Sequence, residues 1–266
     1  MWGRIIGLLL GLAFAWLPGA ILGFVVGWWF DRALARDFRG AGFGKLWHRL
    51  DEAGREQLFF HTSFAVMGHL AKAKGRVREE DIAAASALMD RLHLSGAKRR
   101  AAQEAFREGK AAGYPLEAAV QAMGEALAGQ HDLLQLFMEI QVALALADGK
   151  LQVAERKVLE RVRKSLGLPE RMLDGLIRMA KAGQAFTQAP EQSRYGRLGQ
   201  AYELLGLSPE ADMAAVRRAY KKAMAEHHPD KLMAKGLPPE MQELAKERTQ
   251  AIQAAYRQIK AHREGT

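Results

Sequence analysis

Between about Lys45 and Gly183 apolar side chains recur three and four positions apart. Phe59, Phe64, Met67 and Leu70 form one such set, Ile82, Leu88, Met89 and Leu92 a second, and Leu133, Leu136, Phe137, Ile140 and Leu144 a third. That spacing places each set on one face of a helix and predicts that those faces are buried. Pro115 and Pro169 fit first-turn positions, where the missing amide hydrogen costs nothing. No convincing alternating run of strand type occurs, so the pattern predicts an all-α protein.

The first thirty residues follow a different pattern. Ile5 to Phe30 contains no charged side chain. At ~1.5 Å of rise per residue a helix of that length exceeds the roughly 30 Å hydrocarbon core of a bilayer. A cleaved signal peptide is the alternative, but its basic region would be Arg4 alone, and ten further apolar residues follow Ala20. A membrane anchor over 1–31 is therefore expected. Gly7, Gly11, Ala15, Gly19, Gly23 and Gly27 recur at every fourth position, a small-residue seam of the kind that lets two helix backbones approach in lipid and that predicts a homodimer through this helix. Arg32, Arg36, Arg39, Lys45 and Arg49 all follow the span, which predicts an N-terminus outside, C-terminal domains in the cytoplasm, and a bacterial inner membrane as the setting.

The glycine-rich Gly40-Ala41-Gly42-Phe43-Gly44 lacks the spacing and the following Ser or Thr of a phosphate loop, and is read as part of a juxtamembrane linker over 32–54. Further on, one turn occurs twice. Ala73-Lys74-Gly75-Arg76-Val77 leads to Asp81-Ile82, and Ala147-Asp148-Gly149-Lys150-Leu151 leads to Glu155-Arg156. Helix-hairpin physics accounts for both copies, because glycine accepts a left-handed cap and a carboxylate suits a helix N-terminus. The doubled turn also resembles the TerB tellurite-resistance family, over about 55–185. That resemblance implies acids before the turn glycines and a divalent-cation site. Asp148 and Glu155 match it, but Lys74 stands where the first copy would carry an acid, so no metal is expected.

Residues 186–199 are expected to link to a last domain, 200–266. There Ala201-Tyr202-Glu203-Leu204-Leu205-Gly206-Leu207 reads as a short helix, and Ser208-Pro209-Glu210 as the start signal of a second helix over about 211–227. Its apolar face holds Met213, Val216, Tyr220 and Ala223, and its other face Arg217, Arg218, Lys221 and Lys222. Proline ends it at His228-Pro229-Asp230-Lys231, a rigid exposed corner. Tyr202, Leu205, Val216, Tyr220, Ile252, Ala255 and Tyr256 are the expected core. This combination resembles the J-domain family over 200–262. The resemblance implies docking on a DnaK-type chaperone and stimulation of its ATPase, with Arg217, Arg218, Lys221, Lys222, His228, Pro229, Asp230 and Lys231 as the binding residues. The adjacent His227 and His228 point differently and lack a third ligand, so they are not read as a metal site. The order of parts resembles membrane-anchored J-domain co-chaperones. No Gly/Phe-rich or Cys-rich client module follows, and a full fourth J-domain helix is not expected.

Composition removes other classes. The chain of 266 residues has no cysteine, which excludes disulfides, thiol nucleophiles and Cys-based metal sites. Its net charge of +9 is spread thinly, with 11 basic against 9 acidic residues over 200–266, a weak footing for counterion release, so no nucleic-acid partner is expected. No nucleophile–base pair or phosphate loop marks an enzyme, and no cofactor is implied. The expected function is a membrane-anchored co-chaperone, with envelope-stress signalling as an extension carried by the resemblance alone. The alternative is a membrane stress-sensing scaffold whose TerB-like domain binds a metal, lipid or membrane protein.

Overall fold

The computed structural model describes residues 52–188 and 194–264. The apolar span 5–30, its small-residue seam and its basic flank lie outside the described residues. Among the described residues no helix is long and apolar enough to cross a membrane.

The described elements are helices joined by short turns, with no strand among them. Helix α1 (Glu52–Ala73) is apolar around most of its central circumference, burying Phe59, Phe60, Phe64, Val66, Met67 and Leu70. A helix of that kind belongs in the middle of a bundle. It is indeed surrounded by α3 (Gly96–Gly109), α4 (Leu116–Ala126), α5 (His131–Ala145) and α6 (Val153–Ser165). Helices α1 and α3 cross with their backbones touching: a Cβ on Gly68 would stand 2.0 Å from the Phe106 carbonyl oxygen, and one on Gly109 1.8 Å from that of Ala65. Phe59 meets Phe137 of α5 edge to face, ring centroids 5.8 Å apart.

Helix α2 (Glu79–Arg91) covers this bundle through Ala85, Leu88 and Met89. Ile82, expected on its buried face, is instead 47% exposed. It lies in the first turn, and the smaller Ala85 one turn on makes the contact. Pro115 and Pro169 sit one residue outside the helices they introduce, α4 and α7 (Glu170–Gln188), so each ends a turn rather than beginning the helix.

Helix α7 and the next, α8 (Arg194–Leu204), reach from both sides into the stretch read as a linker. Then come α9 (Met213–His227), the short α10 (Pro229–Met233), a 3₁₀ turn at Pro239–Met241 and α11 (Gln242–Glu264). The N-cap of α9 is Asp212, whose carboxylate accepts from the Ala215 amide at 2.6 Å, so Ser208-Pro209-Glu210 belongs to the preceding turn and does not start the helix. Tyr202, Leu205, Val216, Ile252 and Ala255 are buried as expected. Tyr220 and Tyr256 are half-buried and stack on each other at 4.3 Å.

The described residues all belong to one packing unit. Leu232, Leu237, Met241, Leu244 and Ala245, which follow the corner, join the same continuous apolar cluster as α1, α2 and α5. The C-terminal helices are thus seated on the middle helices.

Candidate functional site

The site is built where α9 ends. His228 takes an extended backbone conformation (φ −62°, ψ 123°), and Pro229 opens α10 at the first helical position. His228 and Asp230 are exposed and Pro229 is half-buried, which gives the corner foreseen from the sequence. Arg217, Arg218, Lys221 and Lys222 are all exposed on α9. Lys222 reaches Glu226 one turn on at 3.8 Å, a solvent-screened pair that leaves the basic face open. Lys231 turns back, its Nζ donating to the Ala225 carbonyl at 2.9 Å.

Several groups that fix this corner come from the middle helices and went unnoticed in the sequence. Asp132, in the first turn of α5, pairs with Lys231 at 2.9 Å and Lys235 at 2.6 Å. Burial alone would raise the Asp132 carboxyl, but its hydrogen bonds to the two ammonium groups outweigh that and hold it below its ordinary value. Further along α5, Glu139 faces the buried His227, 3.0 Å from its Nε2, and lies 3.2 Å from Arg248 of α11. The other ring nitrogen, Nδ1, stands 2.9 Å from the Ala223 carbonyl.

Both nitrogens of His227 therefore face oxygen acceptors, and only the imidazolium donates twice. Burial pushes the ring pKa down and the Glu139 charge and hydrogen bond push it up further, so His227 titrates above its ordinary value. Glu139 resists its own desolvation through Arg248 and His227 and is held at about 2. The single hydroxyl proton of Thr249 on α11 stands between two carbonyls, that of Ala245 at 2.7 Å and that of His227 at 3.0 Å.

The doubled turn of the middle region has the predicted local geometry. Gly75 and Gly149 sit at positive φ, +101° and +83°. Asp81 and Glu155 occupy matching third positions of α2 and α6, accepting from the Arg78 and Gln152 amides at 2.9 and 3.0 Å. What the sequence did not show is that one side chain joins the two copies. The Lys74 ammonium, only 7% exposed, contacts Asp81 and lies 3.4 Å from Glu155 and 3.8 Å from Asp148.

Burial opposes the charge on Lys74, but the hydrogen bond to Asp81 and the charges of Glu155 and Asp81 outweigh it and raise its pKa. Desolvation raises Glu155 in turn. A divalent cation held by these carboxylates would have to share their centre with that ammonium, so the residues present do not fit one. Among the described residues no group of three or more His, Asp or Glu side chains has metal-holding geometry.

An all-helical chain with a His-Pro-Asp corner beside an exposed basic helix is a J-domain protein, and here the J-domain is seated on a second helical unit. Residues 200–264 match the DnaJ domain, residues 61–178 the tellurite resistance protein TerB, and residues 1–37 the co-chaperone DjlA transmembrane domain. The chain is 45% identical to the co-chaperone protein DjlA of Photobacterium profundum, over 98% of each chain. It is 46% identical to that of Yersinia pestis and 44% to that of Escherichia coli K12, over 97% of each chain in both cases. The chain belongs to the DjlA family of co-chaperones. No solved structure matches it.

Proposed function

We infer that this protein tethers a DnaK-type chaperone to the cytoplasmic face of a bacterial inner membrane and stimulates its ATPase without being an enzyme itself. The observation that carries the reading is the corner: His228 and Asp230 project into solvent while the elements behind them are fixed, next to the open face of Arg217, Arg218, Lys221 and Lys222. Complementary exposed charges steer encounter, so the basic face brings an acidic partner surface to the corner. Pro229 and Lys231 complete the docking set, and Asp230 supplies the carboxylate that acts on the bound partner.

The anchor is the stretch over 1–31, uncharged from Ile5 to Phe30, with the N-terminus outside and the basic residues from Arg32 to Arg49 inside. It is followed by a linker over 32–54, a TerB-like unit over 55–185, a connection over 186–199 and the J-domain over 200–266. The seam from Gly7 to Gly27 pairs two copies in the bilayer. Action at the membrane makes envelope-stress signalling a fitting role.

Vesicle flotation tests the recruitment. The full chain in liposomes is mixed with a DnaK-type chaperone and ATP, and the chaperone is expected to float with the vesicles. His228→Gln or Asp230→Asn should leave it at the bottom of the gradient. Equal flotation with wild type and both variants would refute the reading.

A further inference from the structure

The His-Pro-Asp corner is bounded by side chains that the J-domain does not supply. Glu139 binds the ring of His227, the residue immediately before the corner, and Asp132 binds Lys231, the residue immediately after it. Both acids lie on α5, about two helical turns apart, so one rigid helix grips the corner on both sides. The grip is extended by Lys235 on Asp132 and Arg248 on Glu139. Beneath it Leu232 is fully buried in the apolar cluster shared with the middle helices. Ion pairs between Arg91 and Glu247 (3.6 Å) and between Lys98 and Glu240 continue the contact at its rim.

What this clasp leaves uncovered decides its sense. His228 and Asp230 are exposed with the clasp closed, and so is the basic face of α9; of the charged docking residues only Lys231 is engaged by the clasp, and its side chain stays 45% exposed. An inhibitory contact would cover those groups. We propose that Glu139 and Asp132 of the TerB-like unit are positioning residues for the J-domain, holding the His-Pro-Asp corner in the one orientation that acts on the chaperone. The gain is one of orientation: the basic face of α9 makes the encounter, and a corner already held in register acts in a larger share of the docked complexes, so loosening it lowers the maximum and leaves the half-saturating concentration unchanged. The TerB-like unit is then part of the stimulating machinery, and whatever shifts α5 is felt at the corner.

This inference rests on the proposed chaperone-stimulating role. The test uses the full chain in lipid nanodiscs, titrated into single-turnover ATP hydrolysis by a DnaK-type chaperone. Glu139→Ala should lower maximal stimulation about fivefold, equivalent to roughly 1 kcal/mol, with the half-saturating concentration unchanged. Glu139→Gln keeps volume and an acceptor for His227 Nε2, and should retain at least half of the wild-type maximum.

A fold defect would give a different pattern, because a smaller competent fraction raises the half-saturating concentration and leaves the maximum intact. That pattern, an unchanged titration, or a raised maximum would each overturn the positioning role. If Glu139→Ala fails to fold by circular dichroism, Asp132→Asn at the more open end decides: a maximum lowered about twofold supports the inference, and an unchanged one refutes it. Asp230→Asn is run alongside, and full stimulation by that variant would overturn the chaperone reading beneath the inference.

Discussion

Replacing Lys74 by methionine removes one positive charge from the centre of three carboxylates and leaves most of the side-chain volume. The cost is set by what remains. Asp81 and Glu155 are only 9% and 2% exposed, so neither recovers its hydration, whereas Asp148 at 34% largely does. Breaking a buried pair by removing one partner costs about 3–5 kcal/mol, since a charge is left in a poorly solvating site. For a unit of this size about 2–4 °C accompanies each kcal/mol, so the melting midpoint should fall by about 6–20 °C at pH 7. The gap should narrow toward pH 4.5, because Glu155 already titrates above its ordinary value and sheds its charge by protonation.

Arg156→Met serves as the control. The Arg156–Asp174 pair has similar geometry but both side chains are 52% exposed, and its loss should cost under about 1 kcal/mol. Thermal melts of the full chain in micelles, followed by circular dichroism, make the comparison. Wild type should show little shift with calcium, magnesium or zinc, where a true ligand at a hundred times its dissociation constant would add about 2.7 kcal/mol. If Lys74→Met melts like Arg156→Met, or if wild type rises clearly with a cation, the account of this cluster is wrong.

His227 should carry protons on both ring nitrogens at pH 6, below the ordinary imidazole value, which nitrogen-15 NMR reads directly; a neutral ring at that pH would refute the assigned hydrogen bonds. With its pKa raised above 6.5, its stabilising contribution is complete below 6.5 and lost as pH rises through the folded value, while that of Glu139 is complete above 4.5 and lost progressively as pH falls from 4.5 to about 2, so the clasp is strongest between 4.5 and 6.5. Gly68→Ala drives a methyl into the Phe106 carbonyl and should cost several kcal/mol, whereas Gly175→Ala in α7 meets nothing within 4 Å and should gain about 0.5–1 kcal/mol; comparable melting of the two would contradict the close crossing of α1 and α3. In the membrane, Gly19→Leu with Gly23→Leu should weaken self-association far more than Leu9→Ala, and equal dimerisation of both variants would remove the seam.

Features generated within a few residues could be read from the chain. The helical periods, the glycine turns at Gly75 and Gly149, the third-position acids Asp81 and Glu155, and the proline corner at Pro229 each depend on neighbours within about one turn. Ile82 was misjudged because periodicity selects a face without fixing where along it the neighbouring helix makes contact. The start of α9 was misplaced because three helix-start residues precede Asp212, and only the Ala215 amide shows which one caps.

Pairing across the fold left no local trace. Glu139 and His227 are 88 residues apart, and Asp132 and Lys235 are 103 apart, so nothing marked those acids as partners of the corner. His227 was set aside as half of an unsupported metal pair, and its real partner is a carboxylate on another helix. Lys74 stands in the sequence only as a departure from a cation-site pattern, and nothing local marks it as the charge that holds the two turns together.

The most direct test of the central claim is single-turnover ATP hydrolysis by a DnaK-type chaperone, titrated with the full chain in nanodiscs. Wild type should accelerate hydrolysis to saturation. Asp230→Asn, folded by circular dichroism, should fail to stimulate at any concentration, whereas Lys221→Ala with Lys222→Ala should reach a similar maximum but need more protein, most visibly at low ionic strength, where exposed charges steer encounter. Stimulation by Asp230→Asn equal to that of wild type would contradict the account.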